Sequence, residues 1–234
     1  MIWNNHLLFL HPQKTAGMSL TNVLLDTLAP PIFNSLPPGH WPEHPEGKPG
    51  VAYVYGLRHE NQYQAKSILK QFNLSLDDFK VIMVVMRNPY DMEVSRYFHL
   101  RKPDAFETSS DRELALKSSF SEFVVNTQFR KSRPYHPDIE RFQAIQSYYT
   151  TGDSIPPNLR IVHYEHLEED INNVLGSLGY SPVKIPYVNI SHERSSRDIM
   201  DFITSPEIEY SVYSRYAWIF NHNYYPRIAF KADK

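Results

Sequence analysis

A parallel α/β sheet is the fold class this sequence predicts. Short apolar runs at Leu7–Leu10, Val51–Tyr55, Val81–Met86 and Leu159–Val162 alternate with amphipathic stretches. One of these runs, Val81-Ile-Met-Val-Val-Met86, is apolar at every position, as expected of a strand covered on both faces. Strand and helix patterns in alternation call for parallel pairing with right-handed crossovers. The 234 residues contain no repeat and no low-complexity tract, and they are read as one domain spanning 1–234.

The elements follow in order. Leu7 to Leu10 is a strand ended by His11-Pro12. Leu20, Val23, Leu24 and Leu28 fall on one helical face. Residues 29–50 are rich in proline and read as an irregular loop. Val51 to Tyr55 is a β-branched and aromatic strand ended by Gly56, and Ala65, Ile68, Leu69 and Phe72 give a second helical face. Pro89 is well placed as the first residue of the helix after Val81–Met86. The polar stretch 102–118 reads as a loop. Phe120, Phe123 and Val124, and then Ile139, Phe142 and Ile145, suggest two more helices. Ile171, Val174, Leu175 and Leu178 form the helix after the last strand, and Ile208, Val212, Tyr216, Ile219 and Phe220 mark a C-terminal one.

Composition narrows the function. With 24 Lys and Arg against 26 Asp and Glu, the net charge of −2 argues against general nucleic-acid coating but permits a local basic pocket. The absence of cysteine excludes a disulfide scaffold, a thiolate zinc site and a Cys nucleophile. His40 and His44 have the spacing of a helical metal pair, but Pro37, Pro38, Pro42 and Pro45 preclude that helix, so no metal is expected. No stretch approaches the roughly 20 apolar residues of a membrane span. Leu7–Leu10 is too short for a signal-peptide core and lacks a basic leader, so a cytoplasmic protein is expected.

In sheets of this class, ligands bind beyond the carboxyl ends of the strands. The segment His11-Pro-Gln-Lys-Thr-Ala-Gly-Met-Ser19 joins the first strand to the first helix. Its short residues let the backbone wrap closely, and the helix offers free N–H groups with a positive dipole end. Lys14 adds a charge, while Thr15 and Ser19 add hydroxyls, which together make an anion site suited to phosphate. It is not a Walker A loop, because Lys14 precedes Gly17 and no Gly-x4-Gly-Lys-Ser/Thr spacing occurs in the chain. A second strand end, Arg87-Asn-Pro-Tyr-Asp-Met-Glu-Val-Ser95, offers an arginine clamp and a serine two turns later. Two anion sites suggest a ligand phosphorylated at both ends.

These two segments resemble the signature motifs of the PAPS-dependent sulfotransferases, in the carbohydrate-type and bacterial branch. Pro12-Gln-Lys-Thr-Ala-Gly-Met-Ser19 is similar to the 5′-phosphosulfate loop, and Arg87 to Tyr97 to the 3′-phosphate motif, Arg-x-Pro with Ser eight residues after the Arg. Leu159 to Leu167 is similar to a later strand with Tyr-Glu-Asp-Leu, and Asn189-Ile-Ser191 with Arg194 to a late segment near the nucleotide. Met18 departs from the usual Thr, which removes one hydroxyl contact. The resemblance implies a P-loop NTPase-like three-layer sandwich, a central parallel sheet flanked by helices. It also implies PAPS (3′-phosphoadenosine 5′-phosphosulfate) as donor, PAP as product, and no metal.

By that resemblance Gln13, Lys14, Thr15, Ala16, Gly17, Met18 and Ser19 surround the 5′-phosphosulfate, with Lys14 at the bridging oxygen. Arg87 and Ser95 hold the 3′-phosphate, and Arg194 or Arg197 closes over it. The acceptor hydroxyl needs a base, and a histidine has the right ordinary pKa. His59 lies just beyond the Val51–Tyr55 strand and would face Lys14 if that strand neighboured the first; Glu60 is the reserve. The acceptor is expected to be a carbohydrate or small metabolite, walled by 29–50 and 101–136. The plainer alternatives are a strand-end Arg87 paired to an acid and a His59 that only caps a loop. The rival functions are an atypical Mg2+-dependent ATP kinase and a nonenzymatic nucleotide-binding protein on the same fold. The oligomeric state is not readable.

Overall fold

The computed structural model describes residues 1–40, 48–103, 110–128, 145–186 and 198–230. Helix residues 139 and 142 of the sequence reading lie outside them; Ile145 opens a single 3-10 turn, Ile145–Tyr148. Two compact units are distinguished, Met1–Met86 with Ser147–Val188, and Arg87–Gln146 with Asn189–Lys234.

The first unit holds a six-stranded sheet. Its strands are β1 (Ile2–Trp3), β2 (Leu7–Leu10), β3 (Ile32–Leu36), β4 (Val51–Tyr55), β5 (Val81–Met86) and β6 (Leu159–His163), in the order β4-β3-β1-β2-β5-β6. Pairs β3–β4, β2–β5 and β5–β6 are parallel, whereas β1 is antiparallel to both β2 and β3. The sheet is thus mostly parallel rather than wholly so. Strand β1 has two residues and therefore no periodicity to read. It exists because Asn4, buried in the turn to β2, accepts hydrogen bonds from the backbone of His6 and Leu7.

Strand β3 corrects the expectation of an irregular loop over 29–50. Pro30-Pro31 and Pro37-Pro38 bracket the strand without entering it, so no ladder donor is lost. Its apolar pattern is broken by Asn34 and Ser35, both buried, and Ser35 donates to Glu60. A buried polar residue with a partner is compatible with a central strand.

Helices cover both faces of this sheet. On one face α1 (Gly17–Thr27) contributes Leu20, Val23 and Leu24, and a later helix, Leu167–Ser177, contributes Ile171, Val174 and Leu175. They pack on Leu7, Phe9, Val81, Met83 and Val85. On the other face Trp3 stacks on Phe33 with ring centres 5.0 Å apart and meets the edge of Phe72 at 5.5 Å. Phe72 belongs to the 3-10 turn that continues α2 (Gln62–Leu69).

The second unit is helical as described: α3 (Pro89–Leu100), α4 (Ser110–Lys117), α5 (Phe120–Asn126) and the C-terminal helix Pro206–Asn221. In chain order the helix Leu167–Ser177 is α6 and this last one is α7. Asn88 caps α3 by accepting from the Tyr90 N–H, with Pro89 as the first helical residue. Helix α4 corrects the reading of 102–118 as a loop. Only Asp111 and Ala115 of α4 are buried, so it shows no apolar stripe. An ion pair holds it instead, Arg96 Nη2 to Asp111 Oδ2 at 2.7 Å, with Arg96 also donating to Thr127. Between α3 and α7, Glu93 accepts from Arg215 and from the Tyr216 hydroxyl, and Tyr90 donates to Glu209. Among the described residues, no helix is long and apolar enough to cross a membrane.

Candidate functional site

The loop between β2 and α1 is built under backbone strain. Lys14 has φ 67° and Ala16 φ 60°, both left-handed, where a β-carbon meets the carbonyl oxygen. Arg58 shares this conformation at φ 74°. Among the described residues the other non-glycine ones with positive φ are asparagines, Asn73 and Asn223, which tolerate it. Arg58 borders the same loop, because its Nη1 reaches Met18 Sδ at 3.9 Å. Such strain costs on the order of 1–3 kcal/mol per residue and gathers where a backbone must hold a ligand.

Thr15 fixes the turn. Its hydroxyl donates to the Pro12 carbonyl at 2.7 Å, and the side chain is fully buried. It therefore closes the loop on itself rather than presenting a hydroxyl outward. Ala16 is the N-cap of α1 and supplies no side-chain cap, and the first turn carries no acid. The N–H groups of Gly17 and Met18, the first two helical residues, precede the point where intrahelical carbonyls become available. Gln13 and Met18 are exposed, Lys14 is half-buried and Ser19 is buried. The donors gathered here are an ammonium, amides and a serine hydroxyl, with no carboxylate in the segment, and such a set suits an anion such as phosphate.

Gly17 is required by a neighbour rather than by a ligand. A β-carbon there would lie inside the van der Waals radius of the His11 ring. Gly17→Ala is expected to destabilise the fold by about 1–3 kcal/mol, as overpacking does. Thermal unfolding of the variant checks this, and an unchanged Tm would contradict the contact.

The turn after β4 brings His59 to the root of this loop. The ring centre of His59 lies 4.5 Å from that of His11, and His59 Nδ1 is 3.1 Å from the His11 carbonyl oxygen. A carbonyl only accepts, so Nδ1 carries the proton and Nε2 keeps its lone pair. The strand adjacency expected from the sequence is not what achieves this, since β3 and β1 lie between β4 and β2. The turn instead crosses the start of β1, where the Met1 ammonium donates to the Arg58 carbonyl at 2.9 Å. Tyr148 secures the same turn by donating its hydroxyl to the His59 carbonyl at 2.7 Å.

Burial pushes the His59 imidazole down to about 4, and the Met1 ammonium and Arg58 push the same way against the His11 carbonyl and Glu60. The His11 ring is held well below the ordinary histidine range, first by burial and then by His59. Both rings are neutral at pH 7. The unfolded chain takes up these protons first as the pH falls, so stability is intact above about 6.5 and declines toward pH 4. For His59 alone the decline reaches up to about 3 kcal/mol. Thermal melts between pH 7.5 and 4.5 should show this fall, and His59→Gln should make it shallower, leaving the share due to His11. A Tm independent of pH over that range would contradict the burial of the pair.

Glu60 is closed to solvent and fully engaged. Oε2 accepts from the Met1 ammonium at 2.7 Å. Oε1 accepts from the Ser35 hydroxyl and from the N–H groups of Leu57 and Arg58. Burial raises its pKa, but the ammonium charge and these hydrogen bonds outweigh burial, so the carboxyl sits below its ordinary value and is ionised. A β-carbon on Gly56 would collide with the Ser35 hydroxyl and the Glu60 carboxylate, so only glycine fits there.

In the second unit Arg87 is buried and pairs with Asp91, Nε to Oδ2 at 2.6 Å. Ser95 is half-buried on α3. Arg194 and Arg197 lie outside the described residues, as do Asn189–Ser191, His44 and the basic run 130–133. Within the expected acceptor wall 101–136, Arg101, Ser119 and Phe120 line an open cavity of about 360 Å³ together with Phe98 and Phe202. Sequence reasoning missed His11, whose ring links the loop to His59. Its only signal is an aromatic-sized residue six positions before a glycine, which is too common to single it out. Compared with known proteins, the chain matches no protein-family model and no curated sequence.

Proposed function

We propose that this protein is a PAPS-dependent sulfotransferase that sulfates an acceptor hydroxyl, on a carbohydrate or small metabolite, by direct in-line displacement. The observation that carries the reading is the strained loop from His11 to Ser19, lined by an ammonium and backbone donors, with a neutral histidine at its root. The sheet with helices on both faces supports a P-loop-like three-layer sandwich as its architecture.

When bound, PAPS supplies a sulfuryl group on a phosphate leaving group. The loop amides from Thr15 to Ser19 hold the 5′-phosphate end. Lys14 faces the bridging oxygen, where negative charge grows during transfer, so its ammonium favours the transition state over the ground state. His59 takes the acceptor proton on Nε2, because Nδ1 is committed to the His11 carbonyl. Glu60 holds the turn that carries His59, since its buried carboxylate accepts from the Met1 ammonium, the Ser35 hydroxyl and the Leu57 N–H. Arg87 and Ser95 are assigned the 3′-phosphate by resemblance.

Thermal stabilisation by nucleotides tests the reading. PAP at a hundredfold excess over its Kd is expected to raise Tm by roughly 5–10 °C. 5′-AMP should do less, and ATP with Mg2+ no more than AMP. Stabilisation by ATP with Mg2+ and none by PAP would favour the kinase instead.

A further inference from the structure

We propose that His11 is a positioning residue whose ring locks His59 to the anion loop, so that loop and base keep one arrangement. Its importance for transfer rests on the function proposed above; its geometry does not. The His11 ring stacks on Phe9 with centres 5.3 Å apart and planes 16° from parallel. His59 meets it at 76°, edge to face. On a further side it lies against Gly17, which has no room for a β-carbon. The backbone of the same residue accepts the His59 Nδ1 hydrogen bond. One residue thus touches the strand, the first turn of α1 and the base.

The ring acts by shape rather than by charge. It is 3% exposed and held neutral by burial against a weaker pull from the Pro12 backbone, and among the described residues its Nδ1 meets no hydrogen-bond partner at normal geometry. A buried donor or acceptor left unmet costs about 1–3 kcal/mol, so a phenyl ring in the same slot would not pay that penalty. Phenylalanine at position 11 is therefore expected to fold and to keep His59 in place. Alanine there opens a space beside His59 that water can enter. The charged groups facing His59 are Arg58 and the Met1 ammonium, which favour its neutral form, and Glu60, which favours the protonated one; all three remain in either variant.

Histidine NMR on the full chain, without nucleotide, reads the effect. In the wild type His59 is expected as the Nδ1–H tautomer with a titration midpoint near 4. In His11→Ala the midpoint should move toward the ordinary value by about one pH unit or more as water enters, and the tautomers should mix. His11→Phe should restore both. Should His11→Ala not fold, Gly17→Ala, whose β-carbon overlaps the His11 ring, displaces that ring from its slot and should also move the His59 midpoint toward the ordinary value. Wild-type tautomer and midpoint in His11→Ala, or in Gly17→Ala where the first does not fold, would overturn the proposal. So would His11→Phe behaving like His11→Ala. Failure of PAP to bind would remove the transfer reading while leaving these NMR outcomes as they are, so the two failures are told apart.

Discussion

Lys14→Ala is expected to lower turnover of PAPS by about 10²–10³-fold, the loss seen when one transition-state donor is removed. PAP affinity should fall by less than about tenfold, or roughly 1.4 kcal/mol. The asymmetry follows from where charge appears. The phosphate of PAP is held by several loop donors, whereas the charge on the departing oxygen exists only during transfer and has one ammonium to meet it. Alanine keeps a β-carbon at φ 67°, so both proteins carry the same left-handed penalty and the comparison isolates the charge. Single-turnover rates and PAP titrations on both proteins check this. Equal losses in rate and affinity would make Lys14 a binding residue only, and no loss in rate would remove it from the chemistry.

His59→Gln is expected to cost about 10²–10⁴ in turnover while leaving nucleotide stabilisation intact. Glutamine keeps the volume and a donor for the His11 carbonyl but cannot accept a proton. The wild type should also hold its rate as the pH falls from 7 to 5. Its base is already deprotonated there, because burial has brought the imidazole down to about 4. An acid limb centred near the ordinary histidine value would contradict the burial. Full activity in His59→Gln would take the base away from this turn, since Glu60 beside it is closed to solvent and ionised.

Much of the fold was legible because apolar runs and helical faces carry it. Strand β5 announced itself by six apolar residues, all buried in the structure. Helix α1 did so by Leu20, Val23 and Leu24, and α3 by Pro89 at its first position. What escaped depends on partners far away in sequence. Strand β3 hides polar Asn34 and Ser35 between prolines, and Ser35 makes sense only beside Glu60. Helix α4 has no apolar stripe because the Arg96–Asp111 ion pair does the work of one.

The candidate site divides in the same way. The loop could be read from Lys14 and its short neighbours. The placement of His59 could not, because it depends on β1, a two-residue strand whose start supports the turn. The short residues of the segment, Gly17 among them, point to a closely wrapped backbone, and in the structure it is the His11 ring that lies against Gly17. The Thr15 hydroxyl, expected at the phosphate, is turned inward to Pro12. Each of these is a long-range or backbone-directed contact, and residue spacing carries no trace of it.

Amide hydrogen exchange with and without PAP tests the central claim most directly. The loop amides from Thr15 to Ser19 are expected to gain more protection than any other part of the chain when PAP is added, since the phosphate would exclude water from this turn and accept from N–H groups at the helix start. Unchanged exchange across Thr15 to Ser19 at PAP concentrations that stabilise the protein would contradict an anion site in this loop.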